Sequence, residues 1–489
     1  MKRLIVIVFI IFGAFLTLCL YRTYAYDTSV VEEVPSTTDL EYTFKIGNSS
    51  IKQITVDSGE TRYYDIVLGN PNNAKISYGV YYEMVSPSTK PDGYSIEYTS
   101  KSTGNSTGKV DKNGNITLNL VVTNASSSTV TVKLGTVAGY VNGGELTLGS
   151  GQVIIPKALV NAVELITNLN DGTTGDSGSG VYKIIHSAIP AGSSATGSEI
   201  PAVTDYRYYG PSPNNYICLD MEGQSTCPDK HLYRIIGSIY DEKENTNRLK
   251  LIKATPLTDG TTSEFSWDYR VFNNGGVVYS NIWATITSGN YSNSLTSGSQ
   301  LMKLLNSGAW WNGTSGSYYN DSTTATTDNF TNYKLSDKAK SYITTSRYYL
   351  GGYNTSRGVM TNQFYVYERG TLRSLTAEPL YWEGMVGLMY PSDYGYAAGN
   401  SCVSGTKLYN YNGGCRIKDW LYISNDHQWL MSPHSDDSRF VFYVGKGGLF
   451  DTNLNDYTYA VRPVFYLNSS ASITNGDGSL NNPYLITLE

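Results

Sequence analysis

The chain has 489 residues with 36 Lys+Arg against 42 Asp+Glu, a net charge of −6, and only 16% charged residues. No basic stripe offers the electrostatic footprint of phosphate binding, which argues against a nucleic-acid partner, and the length exceeds what one core serves, so two folded domains are expected. The 48 Gly and 43 Tyr, with abundant Ser, Thr and Asn, favour strands and turns, so the expected class is mainly β with some helix.

Lys2 and Arg3 precede an apolar run from Leu4 to Leu20, followed by Tyr21-Arg-Thr-Tyr-Ala25. This is the charged start, apolar centre and small-residue exit of a secretory signal, with cleavage expected after Ala25. The run also nears the lower length limit for spanning a bilayer, so residues 1–25 read as a signal peptide or an uncleaved N-terminal anchor. A lipoprotein reading through Cys19 is rejected, because Leu18 stands where a small residue is wanted. The expected location is extracellular, secreted or held at the cell surface by that segment alone.

Residues 40–155 read as an antiparallel β-sandwich. Ile116, Leu118, Leu120 and Val122 alternate with polar residues, and Val130, Val132 and Leu134 repeat the pattern, the period of strands with one buried face. Asn70-Pro-Asn-Asn73, Lys90-Pro-Asp-Gly93 and Asp111-Lys-Asn-Gly114 are turn signals between strands of an immunoglobulin or jelly-roll type sandwich. Pro156–Asn168 reads as a short helix capping the sandwich, with Leu159, Val163 and Ile166 on one face and the proline in its first turn. Asp171–Gly180 reads as a flexible Gly/Ser/Thr linker, so residues 156–180 join the sandwich to a second domain over 181–489.

In that domain Cys218, Cys227, Cys402 and Cys415 form two close pairs in sequence. Four cysteines allow three connectivities, but each local pair brackets a turn-rich loop, so local disulfides are favoured over free thiols, and the spacings do not suit zinc. Leu232–Ile239 and Leu249–Ile252 read as a hairpin. Ser299 is expected to cap a helix over Gln300–Ser307, with Leu301, Leu304 and Leu305 inward and Gly308 as its stop. Ser336 is expected to cap a helix over Asp337–Leu350, with Ala339, Tyr342, Ile343 and Leu350 inward and Gly351 as its stop.

The chain ends on an ordered series of motifs. Trp382-Glu-Gly and Gly387-Leu-Met-Tyr-Pro-Ser-Asp-Tyr-Gly-Tyr396 precede Trp429-Leu-Met-Ser-Pro433 and the polar stretch His434-Ser-Asp-Asp-Ser-Arg-Phe440. A strand Val441–Val444, a glycine turn, a loop Asp451–Asp456 and the strand Val461-Arg-Pro-Val-Phe-Tyr-Leu467 follow. This series resembles the C-type-lectin-like fold over residues 181–489. It is similar to an uncharacterised domain of bacterial surface proteins, related to formylglycine-generating enzymes and to variable receptors of diversity-generating retroelements. The resemblance implies an α+β domain whose first and last strands pair, which would set Val461–Leu467 beside Leu232–Ile239. The leader and β-domain also resemble secreted matrix-fibre proteins of Gram-positive bacteria.

Chemistry is scarce. The histidines are His186, His231, His427 and His434, and only His427 with His434-Ser-Asp-Asp437 could ligate a metal or support hydrolysis; a polar loop is the simpler reading. The formylglycine-generating enzymes work through late cysteines, and none follows Cys415 here, so their activity is not carried over. Asn475-Gly-Asp-Gly478 and Asp451–Asp456 offer oxygen ligands without the regular spacing of a calcium loop, and Ser424-Asn-Asp426 lacks the tryptophan of the calcium-dependent sugar motif. No catalytic residue, metal or cofactor is therefore assigned, and the protein is read as non-enzymatic. The sequons at Asn312 and Asn329 matter only in a host that glycosylates.

What remains is recognition. By the likeness to the variable receptors, whose diversified residues precede the terminal strand, the candidate ligand contacts are His434, Asp436, Asp437, Arg439, Lys446, Phe450, Asp451, Asn453, Asn455 and Tyr457. Phe440, Phe442, Val444 and Trp429 are expected in the core. The expected partner is a protein or glycan on another surface, with adhesion as the role. The alternative is a structural envelope or fibre component assembling through the sandwich's edge strands. Whether 434–460 is diversified by a retroelement is written in the DNA, not in this chain.

Overall fold

The computed structural model describes residues 43–46, 53–71, 76–100, 107–110, 113–139, 152–153, 156–158, 160–268, 271–272, 276–277, 281, 283–284, 298–318, 326–373 and 379–488. The leader reading falls outside them. The chain divides into two compact units, a smaller one made of residues 1–159 and Met221–Thr226 and a larger one made of Val160–Asp220 and Cys227–Glu489. It is mainly β with some helix, as composition indicated.

Among the described residues, ten strands build the first unit: β1 (Thr43–Ile46), β2 (Gln53–Val56), β3 (Glu60–Gly69), β4 (Ile76–Ser86), β5 (Tyr94–Ser100), β6 (Thr107–Val110), β7 (Asn115–Asn124), β8 (Val130–Gly139), β9 (Gln152–Val153) and β10 (Pro156–Ala158). They form two sheets, one in the order β1-β3-β7-β5-β10 and one in the order β2-β8-β4-β6, with β9 beside β4. Leu118, Leu120 and Val122 of β7 and Val130, Val132 and Leu134 of β8 are buried in one shared core, so the sheets lie face to face as a sandwich. The alternating pattern thus placed the right residues inward, although Ile116 is only partly buried. Asn124 ties the two sheets, donating Nδ2 to the carbonyls of Val56 (2.9 Å) and Ser128 (2.8 Å). Gly93 sits at φ +83° with Ala125 backbone 3.0 Å from where a Cβ would be, so that turn demands glycine.

The expected helix over Pro156–Asn168 is two strands and a shorter helix. Pro156–Ala158 pairs in parallel with β5, Val160–Asn161 is β11, and α1 covers Ala162–Asn168. Asn161 sets the start: its side chain accepts from Val163 N (3.0 Å) and Glu164 N (3.2 Å), a cap the proline cannot supply. Ala162 and Ile166 are fully buried in the core of the second unit, so α1 belongs to that unit. Asp171–Gly180 is likewise no free linker. Gly175 O accepts from Asn400 N (2.9 Å), Ser177 O from Tyr209 (3.1 Å), and Ser179 Oγ from Ser212 N (3.0 Å).

After β11 and α1, the second unit continues with β12 (Gly180–His186), β13 (Val203–Tyr209), β14 (Tyr216–Cys218), β15 (Leu232–Asp241), β16 (Thr246–Lys253) and β17 (Glu264–Ser266). A small ribbon β18 (Val271–Phe272)–β19 (Gly276–Val277) precedes helices α2 (Gln300–Asn306) and α3 (Ala309–Asn312) and a ribbon β20 (Ser315–Tyr318)–β21 (Thr326–Asn329). Then come α4 (Asp337–Ser341), β22 (Ile343–Thr344), β23 (Ser346–Tyr349), α5 (Thr361–Glu368), β24 (Tyr381–Gly384), β25 (Val386–Gly387), α6 (Pro391–Ala397) and α7 (Asn400–Gly405). The unit closes with β26 (Gln428–Pro433), β27 (Phe440–Val444), β28 (Phe450–Leu454), β29 (Thr458–Ala460), β30 (Val464–Leu467), β31 (Ala471–Asn475) and β32 (Tyr484–Leu488).

The hairpin expected at 232–252 is β15–β16, antiparallel around the Asp241–Thr246 turn. The terminal strand lies one place further on than expected. β30 pairs with β16 (Leu251 opposite Phe465), so β16 separates it from β15, in the order β11-β31-β32-β14-β15-β16-β30-β22. Ser299 caps α2 through Met302 N, with Leu301, Leu304 and Leu305 buried. Ser336 caps α4 through Ala339 N, but α4 stops at Ser341. The β-branched Ile343-Thr-Thr and the paired Tyr348 and Tyr349 turn the rest of the expected helix into β22 and β23. Ala339, Tyr342, Ile343 and Leu350 are buried all the same.

Both local disulfides exist, Cys218–Cys227 and Cys402–Cys415. They are compatible with an oxidising, extracellular setting. No helix among the described residues is long and apolar enough to cross a membrane.

Candidate functional site

The candidate segment lies on a second sheet of five strands, in the order β17-β29-β26-β27-β28. Its spine is β26, all six residues of which are buried, with Trp429 fully so and its indole donating to Phe265 O at 2.9 Å. Gln428-Trp-Leu-Met is apolar or engaged on both faces, which is what a central strand needs. Asp451–Asp456, read as a loop, is mostly the edge strand β28, paired along its length with β27 from Phe440–Leu454 to Val444–Phe450.

The ten candidate contacts fall into three groups. His434, Asp436, Asp437 and Arg439 form the turn between β26 and β27. Asn281 pins that turn from behind, its buried Nδ2 donating to the carbonyls of His434 (3.0 Å), Asp437 (3.2 Å) and Phe440 (3.0 Å). Arg439 forks onto Asp437 at 2.9 and 2.7 Å, and this pairing holds the Asp437 carboxyl below its usual range. Asp436 and Arg439 are exposed, His434 and Asp437 half-buried.

Lys446, Asp451, Asn453 and Tyr457 form the second group. Lys446 is exposed in the turn after β27, and Tyr457 is 50% exposed. Asp451 accepts the Ser356 hydroxyl at 2.7 Å and Thr452 N at 2.9 Å, while Asn453 accepts Leu454 N at 2.9 Å and donates to the Tyr459 hydroxyl. Both side chains therefore satisfy N–H groups of their own edge strand as well as facing outward. The third group is a correction. Phe450 and Asn455 are fully buried and present no surface to a ligand. Phe450 stacks on Phe442 (5.0 Å, 6°) and meets Phe364 edge-on, and the Asn455 backbone accepts from Asp268 N and donates to Arg439 O. Phe442, Val444 and Trp429 are core as expected; Phe440 is only half-buried.

Residues outside the candidate set complete the second group. Tyr459 is the hub: its ring lies 4.4 Å from Trp429, 4.9 Å from His427, 5.0 Å from Tyr443 and 6.3 Å from Tyr457. Burial pushes the Tyr459 hydroxyl up to about 12. Burial, then Lys446, pushes His427 down against the pull of Asp426, so the ring is neutral near neutral pH. Asp426 and Glu264 stand at the rim; burial, then Asp426, raises the Glu264 carboxyl. The sequence held a signal for Tyr443, since a strand that buries Phe442 turns its neighbours to the other face. Nothing local pointed to Glu264, which enters through β17, 162 positions before Asp426.

The one constellation considered for hydrolysis or metal binding is not assembled. His427 and His434 stand just beyond opposite ends of β26, and neither belongs to a group of possible metal ligands among the described residues. Asp220 and His231 belong to a group of possible metal ligands within 4.8 Å of one another; both have other partners, Asp220 accepting the Ser336 hydroxyl at 2.6 Å.

Behind the sheet, α6 carries a buried charge network. Asp393 caps α6 through Tyr390 N (2.9 Å) and pairs with Arg207 Nη1 (2.7 Å) and Lys250 Nζ (2.6 Å). Arg207 continues to Asp205 (2.9 Å), which also meets His186 (3.0 Å). Glu368 takes the Ser392 hydroxyl (2.6 Å) and amide (2.8 Å) and pairs with Arg369 (3.2 Å). These groups satisfy one another deep in the unit and fix α5 and α6 to the hairpin. Comparison with known proteins finds no matching family model and no similar curated protein.

Proposed function

We propose that this is an exported, non-enzymatic surface protein whose second unit, with a C-type-lectin-like fold, binds a protein or glycan on another surface. The observation that carries the reading is the contrast between a stiff frame and an outward polar and aromatic set. The 434–439 turn is held from behind by three hydrogen bonds of Asn281, and the buried Trp429 carries the Tyr459 ring, against which Tyr443 and Tyr457 pack. Preorganised polar and aromatic side chains bind with little ordering cost. The leader and the disulfides support export.

The test is a glycan and protein array probed with the full chain and with a variant carrying His434, Asp436, Arg439 and Tyr457 all changed to alanine. The account expects ligands that bind the parent and lose at least about tenfold in affinity, or roughly 1.4 kcal/mol, on the variant. Ligands that bind both equally well place recognition elsewhere on the molecule.

A further inference from the structure

Tyr353 and Tyr367 lie face to face. Their ring centroids are 4.0 Å apart and their planes 1° from parallel, and both residues are half-buried, so neither phenol is sealed from solvent. No other tyrosine pair among the described residues is this close: Tyr443–Tyr459 stands at 5.0 Å and 39°, Tyr182–Tyr209 at 5.1 Å and 69°. The backbone holds the stack together. Tyr367 lies in the last turn of α5, where Phe364 meets its ring edge-on at 6.2 Å. Tyr353 lies just after β23, where Gly351 N bonds Glu368 O (3.0 Å) and Gly352 N bonds Leu372 O (3.1 Å), fastening its segment to the end of α5 and the residues beyond. Tyr353 also supports the candidate recognition turn. Its carbonyl accepts from Ser435 N at 3.0 Å, and it makes a parallel bridge with His434.

We propose that Tyr353 and Tyr367 are an oxidative cross-linking site, joined ring to ring, and that the bond braces the 434–439 turn. The oxidant is hydrogen peroxide, acting through a haem peroxidase that removes one electron at a time. Each phenol gives up one electron and its hydroxyl proton, and the two phenoxyl radicals couple at ring carbons next to the oxygens. One C–C bond forms, the two C–H bonds at those carbons break, and their protons return to the phenol oxygens. The protein loses two hydrogens in all, and the peroxide becomes two waters. Holding two reactants in contact replaces a bimolecular encounter by an intramolecular one, so this pair couples ahead of tyrosines that must meet by diffusion. The site concerns the frame of the turn and does not depend on which ligand the turn meets.

The experiment treats the full chain, at high dilution, with hydrogen peroxide and a haem peroxidase, beside the variants Tyr353→Phe, Tyr367→Phe and Tyr206→Phe. Tyr206 is half-buried like the pair but lies outside the stack. Phenylalanine keeps each ring and removes only the hydroxyl from which the radical starts, and near-ultraviolet circular dichroism before treatment checks the fold. The parent and Tyr206→Phe are expected to give a monomer two hydrogens lighter, with biphenol fluorescence and a digest in which the peptide holding Tyr353 is joined to the one holding Tyr367. The other two variants should lack that joined peptide. Amide exchange at Ser435 should be slower in the cross-linked parent than in the untreated one. The parent's own digest decides the site, whatever the variants do. A joined peptide elsewhere in place of this one, coupling only between molecules, or no biphenol while free tyrosine in the same reaction couples, overturns the site. Unchanged exchange at Ser435 with the bond in place overturns the bracing.

Discussion

Asp393 shows how much one residue can carry. It is buried, caps α6, and is the shared counter-ion of Arg207 and Lys250, while Lys250 also sits 4.5 Å over the Tyr390 ring. Asp393→Asn keeps the shape but leaves two buried cations short of charge. Loss of one partner from a buried pair costs about 3–5 kcal/mol. A denaturant melt of the variant should therefore show a much lower midpoint at an unchanged slope. Glu368 and Glu242 add a pH term, since burial pushes both carboxyls up to about 7, against the arginine pairing that opposes it. Their folded-state values lie above the unfolded ones, so this contribution is fully present below the ordinary carboxylate range near 4.3 and is lost as pH rises through about 7. His186 works the other way: burial lowers it, so its contribution is present above about 6.5 and lost as pH falls. The parent should thus melt progressively lower relative to Glu368→Gln as pH is raised from about 5 to 8. A difference between the two that does not vary with pH would contradict the assignment. At this scale the sequence was half legible. Asp393 stood in the Gly387–Tyr396 motif without being read as a helix cap. Nothing announces that the same Asp meets Arg207 and Lys250, which stand 186 and 143 positions away.

Elements were legible where a local rule was left unopposed. Period two set β7 and β8, Ser299 set α2, and the short Cys spacings set both bridges. They were misread where two rules competed. The Ser336 cap is real, yet the β-branched run at 343–345 and pairing with β30 and β24 cut the helix to five residues. The candidate segment was misjudged likewise: period two along β28 turns Phe450 inward and Asp451 and Asn453 outward, so a segment read as a loop is an edge strand. Its flank depends on the Cys402–Cys415 bridge. The bridge closes a 13-residue span whose Leu408 N and Tyr411 hydroxyl bond to Val359 and Gly395, and Arg416 beyond it bonds Gly447 O in the β27–β28 turn. Closing a loop of that size contributes about 3 kcal/mol. Cys402→Ser with Cys415→Ser should lower the melting temperature and speed amide exchange in residues 445–449. Unchanged exchange there would show that the hairpin turn stands without the bridge.

For the whole molecule, composition and length announced a mainly β chain in two parts, and the boundary is where local reading slipped. Asp171–Gly180 has the composition of a linker but is fastened to its own unit by hydrogen bonds that composition does not show. The second unit starts at Val160, with β11 on β31 and Ile166 in the core. A fragment of residues 160–489 should therefore be more stable than one of 181–489. Ile166 alone buries a side chain worth about 1.5–3 kcal/mol, so the longer fragment should unfold at clearly higher denaturant. Equal midpoints would return α1 to the linker. The central claim, that the sheet holding β26 to β29 is the recognition face, is tested most directly by hydrogen–deuterium exchange on the full chain with and without the ligand that the array returns. The account predicts ligand-dependent protection in residues 434–439 and 443–460, with the first unit's strands unchanged. Protection confined to other strands, or an array that returns no ligand, would contradict it.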